Sequence, residues 1–320
     1  MKKRLSLLFI MIGIFFCLLY VYQTNINRCQ IIFQYEDGRI HETAKITKGS
    51  TIPMPEDPFQ INHIFIGWFT HPIQGEKYDF SQKVTKKLTL YARFQLDAVT
   101  ITNEITQNII KSLVKIEFRS YNSESESYGS GWSQGSGFCY AAGNNYYYIL
   151  TNCHVVRSNT EDDIFNIRIY DYKGNKYSGY LYHDPNKQGY AISPDYDLAC
   201  IYFESSNSEV QALSIAQQNS PANADIISLG APHAQMNSIT FGKLLNYSTI
   251  TLQNTPAYES HVTFPVMCHT ADISGGSSGG PILNSNLHVT GVNFAATADD
   301  EFGYAIPVEK IHEFLQKYVR

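Results

Sequence analysis

The sequence predicts an all-β protein of two modules behind an apolar N-terminal segment, and three observations support that reading. From Gly135 to Pro307, short β-forming runs alternate with turn residues, the pattern of a barrel or sandwich. Residues 29–95 hold a separate, compact set of strand-like runs, and residues 1–23 are almost wholly apolar after an initial basic cluster. A chain of 320 residues with 43% hydrophobic and 17% charged residues has the size for two or three folded units. The net charge is −5, and no basic run lies beyond the first four residues, which argues against nucleic acid as the main partner.

The first element is the run from Leu5 to Tyr22, broken only by Ser6 and Gly13 and preceded by Lys2, Lys3 and Arg4. As a helix it is roughly 27 Å long, close to the thickness of a bilayer's hydrocarbon core. The flanking positive charges place the N-terminus in the cytoplasm and everything after Tyr22 outside. A cleaved signal peptide is the rival reading, but "VYQTNINRCQ" holds no small-x-small cleavage site. The expected partner of residues 1–23 is therefore the membrane.

In the first module, "IIFQYEDGRIHE" predicts a hairpin turning at Asp37-Gly38. "STIPMPEDPF" is a proline-punctuated connection, "HIFIGWFT" a short strand, and "LTLYARF" alternates as an edge or half-buried strand would. The succession "GSTIPMPEDP", "FIGWFT" and "GEKYDFSQKVTKKLTLYARF" resembles a single Listeria–Bacteroides repeat, a small β-grasp-like module of Gram-positive surface proteins. Trp68, Phe69, Tyr78, Phe80 and Tyr91 are expected in its core rather than on a binding face. The resemblance implies a spacer or adhesive element.

"QLDAVTI" is expected to bridge to the second module, residues 100–320. "TNEITQNIIKSLVKIEF" predicts a short helix and then a strand. "SYNSESESYGSGWSQ" has too little hydrophobicity to pack and reads as a loop. At the other end, Val308, Ile311, Leu315 and Tyr318 share one helical face behind Pro307, which suits a helix's first turn. This helix is expected to dock on the preceding β structure. Of the six cysteines, Cys17 lies in the apolar run, and four of the other five sit in strand-like segments, so free buried thiols are expected.

The chemistry centres on "ADISGGSSGGPI", residues 271–282. A nucleophilic serine needs an exposed oxygen at a sharp turn, converging backbone N–H groups and a base within reach. Ser278 stands two after Gly276 and is followed by Gly279, Gly280 and Pro281, so the N–H groups of Gly276 and Ser278 would form an oxyanion hole. Ser274 and Ser277 need no chemical role. Upstream, "YYYILTNCHVV" puts His154 at the end of an apolar strand, and "SPDYDLACIYF" puts Asp197 directly before another. Asp197 is preferred to Asp195 because it immediately precedes the apolar run. The chain order His154, Asp197, Ser278 is that of the chymotrypsin class of catalytic triads. Metal binding by Cys153-His154 and Cys268-His269 fits no standard zinc spacing, and His269 is placed on a strand entering the oxyanion loop.

The segments "GSGFCYAAGNNYYYILTNCHVV", "DYDLACIYF", "ADIISLGAPH", "GGSSGGPILN", "VTGVNFAA" and "FGYAIP" follow one another as in trypsin-like proteases of the HtrA/DegP type. The resemblance spans roughly residues 105–318, with two departures: the PDZ domain common in that family is missing, and Cys153 precedes His154. It implies two six-stranded, chymotrypsin-like β-barrels with a C-terminal helix, acting on protein or peptide substrates without a metal or organic cofactor. His154 is then the general base, Asp197 its orienting acid and Ser278 the nucleophile. The substrate pocket would be walled by residues 272–276 and 291–296. Asp272 at its base would favour Lys or Arg at the cleavage site. With Asp272 turned away, Ile273 and Ala295 would line the pocket and favour aliphatic residues. A glutamyl-specific protease has a similar serine loop but usually a histidine where this chain has Asn293. A catalytically silent protease-like fold serving in adhesion or sensing is the alternative from another class.

Overall fold

The computed structural model describes residues 11–16, 27–122, 127–128, 132–156, 165–187, 189–231, 237–252, 260–297 and 301–319. They form two compact units, Met1–Asp97 and Ala98–Arg320. Of the expected membrane segment only residues 11–16 are described, as helix, and the rest of residues 1–23 lies outside the described residues. Among the described residues no helix is long and apolar enough to cross a membrane. Cys17 likewise lies outside them.

The first unit is built on a four-stranded sheet. Strands β1 (Arg28–Gln34) and β2 (Ile40–Thr47) form the expected hairpin. Gly38 takes a φ of +87° at the turn, where a side chain would be strained, and Arg39 Nε pairs with Asp37 at 2.6 Å. Two short strands, β3 (Ser50–Thr51) and β5 (Lys83–Val84), pair with each other, while β4 (His63–Phe69) and β6 (Leu88–Leu96) complete the sheet in the order β2-β1-β6-β4. The "LTLYARF" strand is thus central, not an edge: it runs parallel to β1 and antiparallel to β4. Its alternation reflects one face covered by core, with Leu90 and Ala92 buried, and the other only partly covered, at Tyr91 and Arg93.

Ile31, Phe33, Trp68, Leu90 and Ala92 form that core, with Tyr78 and Phe80 packed against it. Phe33 and Trp68 meet edge-on at 4.9 Å. Phe69 and Tyr91 do not join them. Each follows a core residue in its strand, so alternation sends it to the opposite face, where the Arg93 guanidinium covers Phe69 at 4.2 Å.

The second unit begins without the expected bridge, because Gln95 and Leu96 finish β6 and Ala98 already opens helix α1 (Ala98–Gln107). Ile101 and Ile105, four apart on that helix, are fully buried. Strands β7 (Leu113–Asn122), β9 (Ser133–Gly143), β10 (Tyr146–Thr151), β11 (Phe165–Asp171), β12 (Lys176–Leu181) and β14 (Leu198–Glu204) run β10-β9-β7-β11-β12-β14. Pairing of β10 with β14 closes them into a six-stranded barrel, and a two-residue β13 (Ile192–Ser193) extends β14. Closure leaves no free edge and encloses Ile116, Ile149, Ile167, Ile201 and Phe203.

The described part of the expected Ser/Gly/Glu loop includes β structure. A short β8 (Ser127–Tyr128) pairs with the end of β7, and Trp132 stacks under Arg168 at 3.7 Å. The cation–π contact gives this polar stretch a packing partner that its low hydrophobicity did not suggest.

The second barrel closes in the order β15-β16-β17-β20-β19-β18. Its strands are β15 (Asp225–Gly230), β16 (Ser238–Ser248), β17 (Val266–His269), β18 (Pro281–Asn284), β19 (Val289–Ala296) and β20 (Gly303–Pro307). Ile226, Leu244, Met267, Ile282 and Ala305 fill it. In the first barrel, the connection from β10 to β11 opens with a single helical turn, α2 (Cys153–Val156).

The closing helix α3 (Val308–Tyr318) buries Val308, Ile311, Phe314 and Leu315 and packs on β19 and β20. Phe314 was not anticipated on that face. It lies three residues from Ile311, within the same stripe, and also meets Tyr196 of the first barrel at 6.0 Å. The five described cysteines are buried and form no disulfide with one another, in line with the expected thiols.

Candidate active site

Helix α2 follows β10 directly and is pinned by three buried residues, Cys153, Val155 and Val156. This leaves His154 as the partly exposed member of the turn, with its side chain 11% exposed. Asp197 occupies the last position before β14, with no exposed surface and a left-handed φ of +48°. Asp tolerates that conformation better than most residues. It turns the carboxylate under the imidazole: Oδ2 accepts from His154 Nδ1 at 2.9 Å, and Oδ1 from the main-chain N–H of His154 at 3.1 Å. Asn152 completes the hold by donating its side-chain amide to the Asp197 carbonyl at 2.9 Å. Sequence reasoning missed Asn152, although its position two residues before the histidine was visible. Asp195 is not part of this group; it lies 3.7 Å from His261 on the surface.

Ser278 stands in the loop between β17 and β18. The chain coils tightly there, with Ser277 N–H donating to the Ser274 carbonyl and Gly280 N–H to the Ser277 carbonyl, both at 2.9 Å. Gly276 and Gly279 take φ values of +101° and +85°. The loop is seated on β19 through a reciprocal pair, Gly279 N–H to the Asn293 carbonyl at 2.8 Å and Asn293 N–H to the Gly280 carbonyl at 2.9 Å. Ser277 is buried, and its hydroxyl accepts from Ser274 N–H, so it supports the loop. The N–H groups of Gly276 and Ser278 make no hydrogen bond among the described residues, which leaves both available to an oxyanion.

Gly135 shows that the histidine turn and the serine loop meet. A Cβ there would overlap the Val155 methyls and lie 3.2 Å from the Ser278 carbonyl oxygen. The structure holds no hydrogen bond between His154 and Ser278 among the described residues. Catalytic contacts of this kind commonly tighten only once substrate is bound.

The expected pocket residues fall in different settings. Asp272 is exposed, and its carbonyl accepts from Thr240 Oγ1 at 2.8 Å. Ile273 is buried and Ala295 partly exposed beside a bulge in β19. The Asn293 side chain lies inside the barrel and donates to Ser228 Oγ at 2.8 Å. His269 ends β17 as expected but is fully enclosed, its ring filling the space where a Gly303 side chain would stand. Neither ring nitrogen meets hydrogen-bond geometry with a partner among the described residues. Burial pushes its pKa down to about 4. Burial also pushes the Cys139 and Cys200 thiols up to about 12, which leaves them unreactive.

Two closed barrels, a carboxylate–imidazole pair and a serine loop with two free N–H groups define a chymotrypsin-like serine protease domain. Residues 135–292 match the trypsin-like peptidase domain family and residues 30–93 the Listeria-Bacteroides repeat domain family, so the chain carries a trypsin-like serine protease domain behind such a repeat. Among curated relatives, the chloroplastic Protease Do-like 5 of Arabidopsis thaliana is 26% identical over 177 residues, 51% of this chain and 51% of its own length. Serine protease HTRA4 of Homo sapiens is 28% identical over 171 residues, 53% of this chain and 32% of its own. The chain thus spans about half or less of the length of these relatives. Among solved structures, the Rv3671c protease from M. tuberculosis superposes with a TM-score of 0.54 at 22% identity, covering 70% of this chain and 87% of that one. That likeness is one of fold.

Proposed function

We propose that the protein is a membrane-anchored serine endopeptidase whose protease unit faces the extracytoplasmic space. The observation that carries the activity is the buried Asp197 carboxylate bonded to Nδ1 of His154, which leaves Nε2 as the nitrogen that serves Ser278. In this reading His154 removes the Ser278 proton as the hydroxyl attacks a peptide carbonyl. The tetrahedral oxyanion takes the N–H groups of Gly276 and Ser278. His154 then protonates the leaving amine, and water repeats the cycle on the acyl-enzyme. Protein and peptide substrates follow from this chemistry, with Ile273 and Ala295 as the pocket walls.

Anchoring rests on Lys2, Lys3 and Arg4 before the apolar run from Leu5 to Tyr22. The repeat at residues 30–93 would serve as a surface spacer or adhesive element between that anchor and the protease. Fluorophosphonate labelling of the wild type and of Ser278→Ala tests the activity. Labelling of the wild type alone is expected, whereas an unlabelled wild type would leave a silent adhesion or sensing module. Protease added to spheroplasts tests the topology: residues 24–320 should be digested and the N-terminal tail protected. Release into the medium from near residues 24–30 would show that the run is cleaved.

A further inference from the structure

We infer that Ser136, on β9 of the first barrel, is a positioning residue that aims the oxyanion hole; the inference rests on the protease reading above. Ser136 is 1% exposed, and all of its polar groups are engaged at short range. Its N–H donates to the Ser278 carbonyl at 2.7 Å. Its hydroxyl donates to the Gly276 carbonyl at 2.7 Å and accepts from the Ala231 N–H at 2.8 Å. Its own carbonyl accepts from Thr151 Oγ1 at 2.7 Å.

The two carbonyls it holds belong to the peptide planes 276–277 and 278–279. Between them lies the plane that carries the Ser278 N–H, and next to the first lies the plane that carries the Gly276 N–H. Because peptide units are rigid, fixing alternate planes leaves the intervening N–H little freedom to turn. Gly276, at a φ of +101°, has no side chain to restrain it and depends on such a tether.

A hydroxyl suits this position because one O–H must satisfy a buried acceptor, the Gly276 carbonyl, while its oxygen satisfies a buried donor, the Ala231 N–H. Neighbouring glycines let the backbone approach Ser136 this closely. A Cβ on Gly279 would overlap the Ser136 carbonyl oxygen, and one on Gly230 would come within 3.3 Å of its hydroxyl. Ser136 also couples the two halves of the machinery. Thr151, which holds it, lies three residues before His154, and the carbonyls it grips belong to the nucleophile loop.

The test compares Ser136→Ala with Ser136→Cys, whose thiol is a weaker donor, and with Ser220→Ala. That last change removes a buried hydroxyl in the connection before β15, bonded to Thr290 of β19 and outside the nucleophile loop. Active sites are titrated with a fluorophosphonate, so that turnover is expressed per functional site. Ser136→Ala is expected to lower kcat per titrated site roughly 10–100-fold with KM within about twofold, below the loss of a whole oxyanion donor. Affinity for a peptide aldehyde should fall in proportion, because its adduct places an oxyanion in the same hole. Ser136→Cys should fall between Ala and wild type, and Ser220→Ala should keep wild-type kcat per site. A kcat per site within twofold of wild type in both Ser136 variants, or an equal fall in Ser220→Ala, overturns the inference. A wild type that neither labels nor hydrolyses peptides overturns the protease reading itself, and the inference with it.

Discussion

Asp197 grips His154 at two points, the ring Nδ1 at 2.9 Å and the main-chain N–H at 3.1 Å, with a carboxylate that has no exposed surface. One group therefore sets both the orientation of the ring and the position of the backbone that carries it. Replacing it by an amide should break this arrangement, because an NH₂ facing either donor of His154 cannot accept. Asp197→Asn is expected to lower kcat by about 10⁴, the scale set by the same exchange in a serine protease triad, with little change in KM. Steady-state kinetics on a peptide substrate checks this, and a loss below tenfold would remove Asp197 from the mechanism.

Ser278→Ala should abolish peptidase activity, by a factor on the order of 10⁶ in kcat, while leaving the melting temperature near wild type. Ser277→Ala should retain turnover within about tenfold, since that hydroxyl is buried and bonds within the loop. A dead Ser277→Ala beside an active Ser278→Ala would reverse the assignment.

Gly279→Ala should both destabilise and inactivate the protein. The new methyl would overlap the Ser136 carbonyl and the Thr151 hydroxyl, on a residue whose φ is +85°. Left-handed strain and overpacking together amount to roughly 2–5 kcal/mol. Chemical denaturation measures the loss, and a change below about 1 kcal/mol would contradict the geometry.

His269 makes stability depend on acid. Burial lowers its pKa from 6.5 to about 4, and contacts with Asn293 and the main chain at Ala271 oppose the shift without reversing it. Above pH 6.5 the ring is neutral in both folded and unfolded chains, and the full stability is present. Between pH 6.5 and about 4 the unfolded chain takes up the proton and the folded one does not, so stability falls as pH falls. At about 1.4 kcal/mol per pH unit, the loss is about 3 kcal/mol. His269→Gln should flatten the denaturation free energy across this window; an unchanged slope would show that the ring accepts its proton in the folded state.

Cleavage preference tests the pocket. The Asp272 side chain is exposed, so it does not offer a buried carboxylate to a cationic side chain. A peptide library should show cleavage after small or medium aliphatic residues, with Asp272→Ala altering the profile less than twofold. Dominant cleavage after Lys or Arg that disappears in Asp272→Ala would reverse this assignment.

The candidate residues His154, Asp197 and Ser278 were legible in the chain because each carries a local chemical signature. A histidine ends an apolar strand, an aspartate abuts another, and glycines surround a serine that must sit at a sharp turn. The alternating strands, the Asp37-Gly38 hairpin and the amphipathic final helix were legible for the same reason, since periodicity and turn chemistry are properties of neighbouring residues. The faces of Phe69 and Tyr91 were harder to assign. They depend on which side of the sheet the core lies, and an aromatic residue fits either a core or a cation-covered surface.

Tertiary structure alone decided how the His154–Asp197 pair and the serine loop are held. Asn152 reaches Asp197 across 45 residues, and the Ser136 hydroxyl joins Ala231 and Gly276, 95 and 140 residues away. The motif "GSGF" displayed that serine without marking it, because a hydroxyl announces nothing about its partners until closure of the two barrels brings them within 3 Å. Local sequence determined which residues could do the chemistry; the packing of one barrel's strands against the other's loops determined the directions in which their hydrogen bonds point.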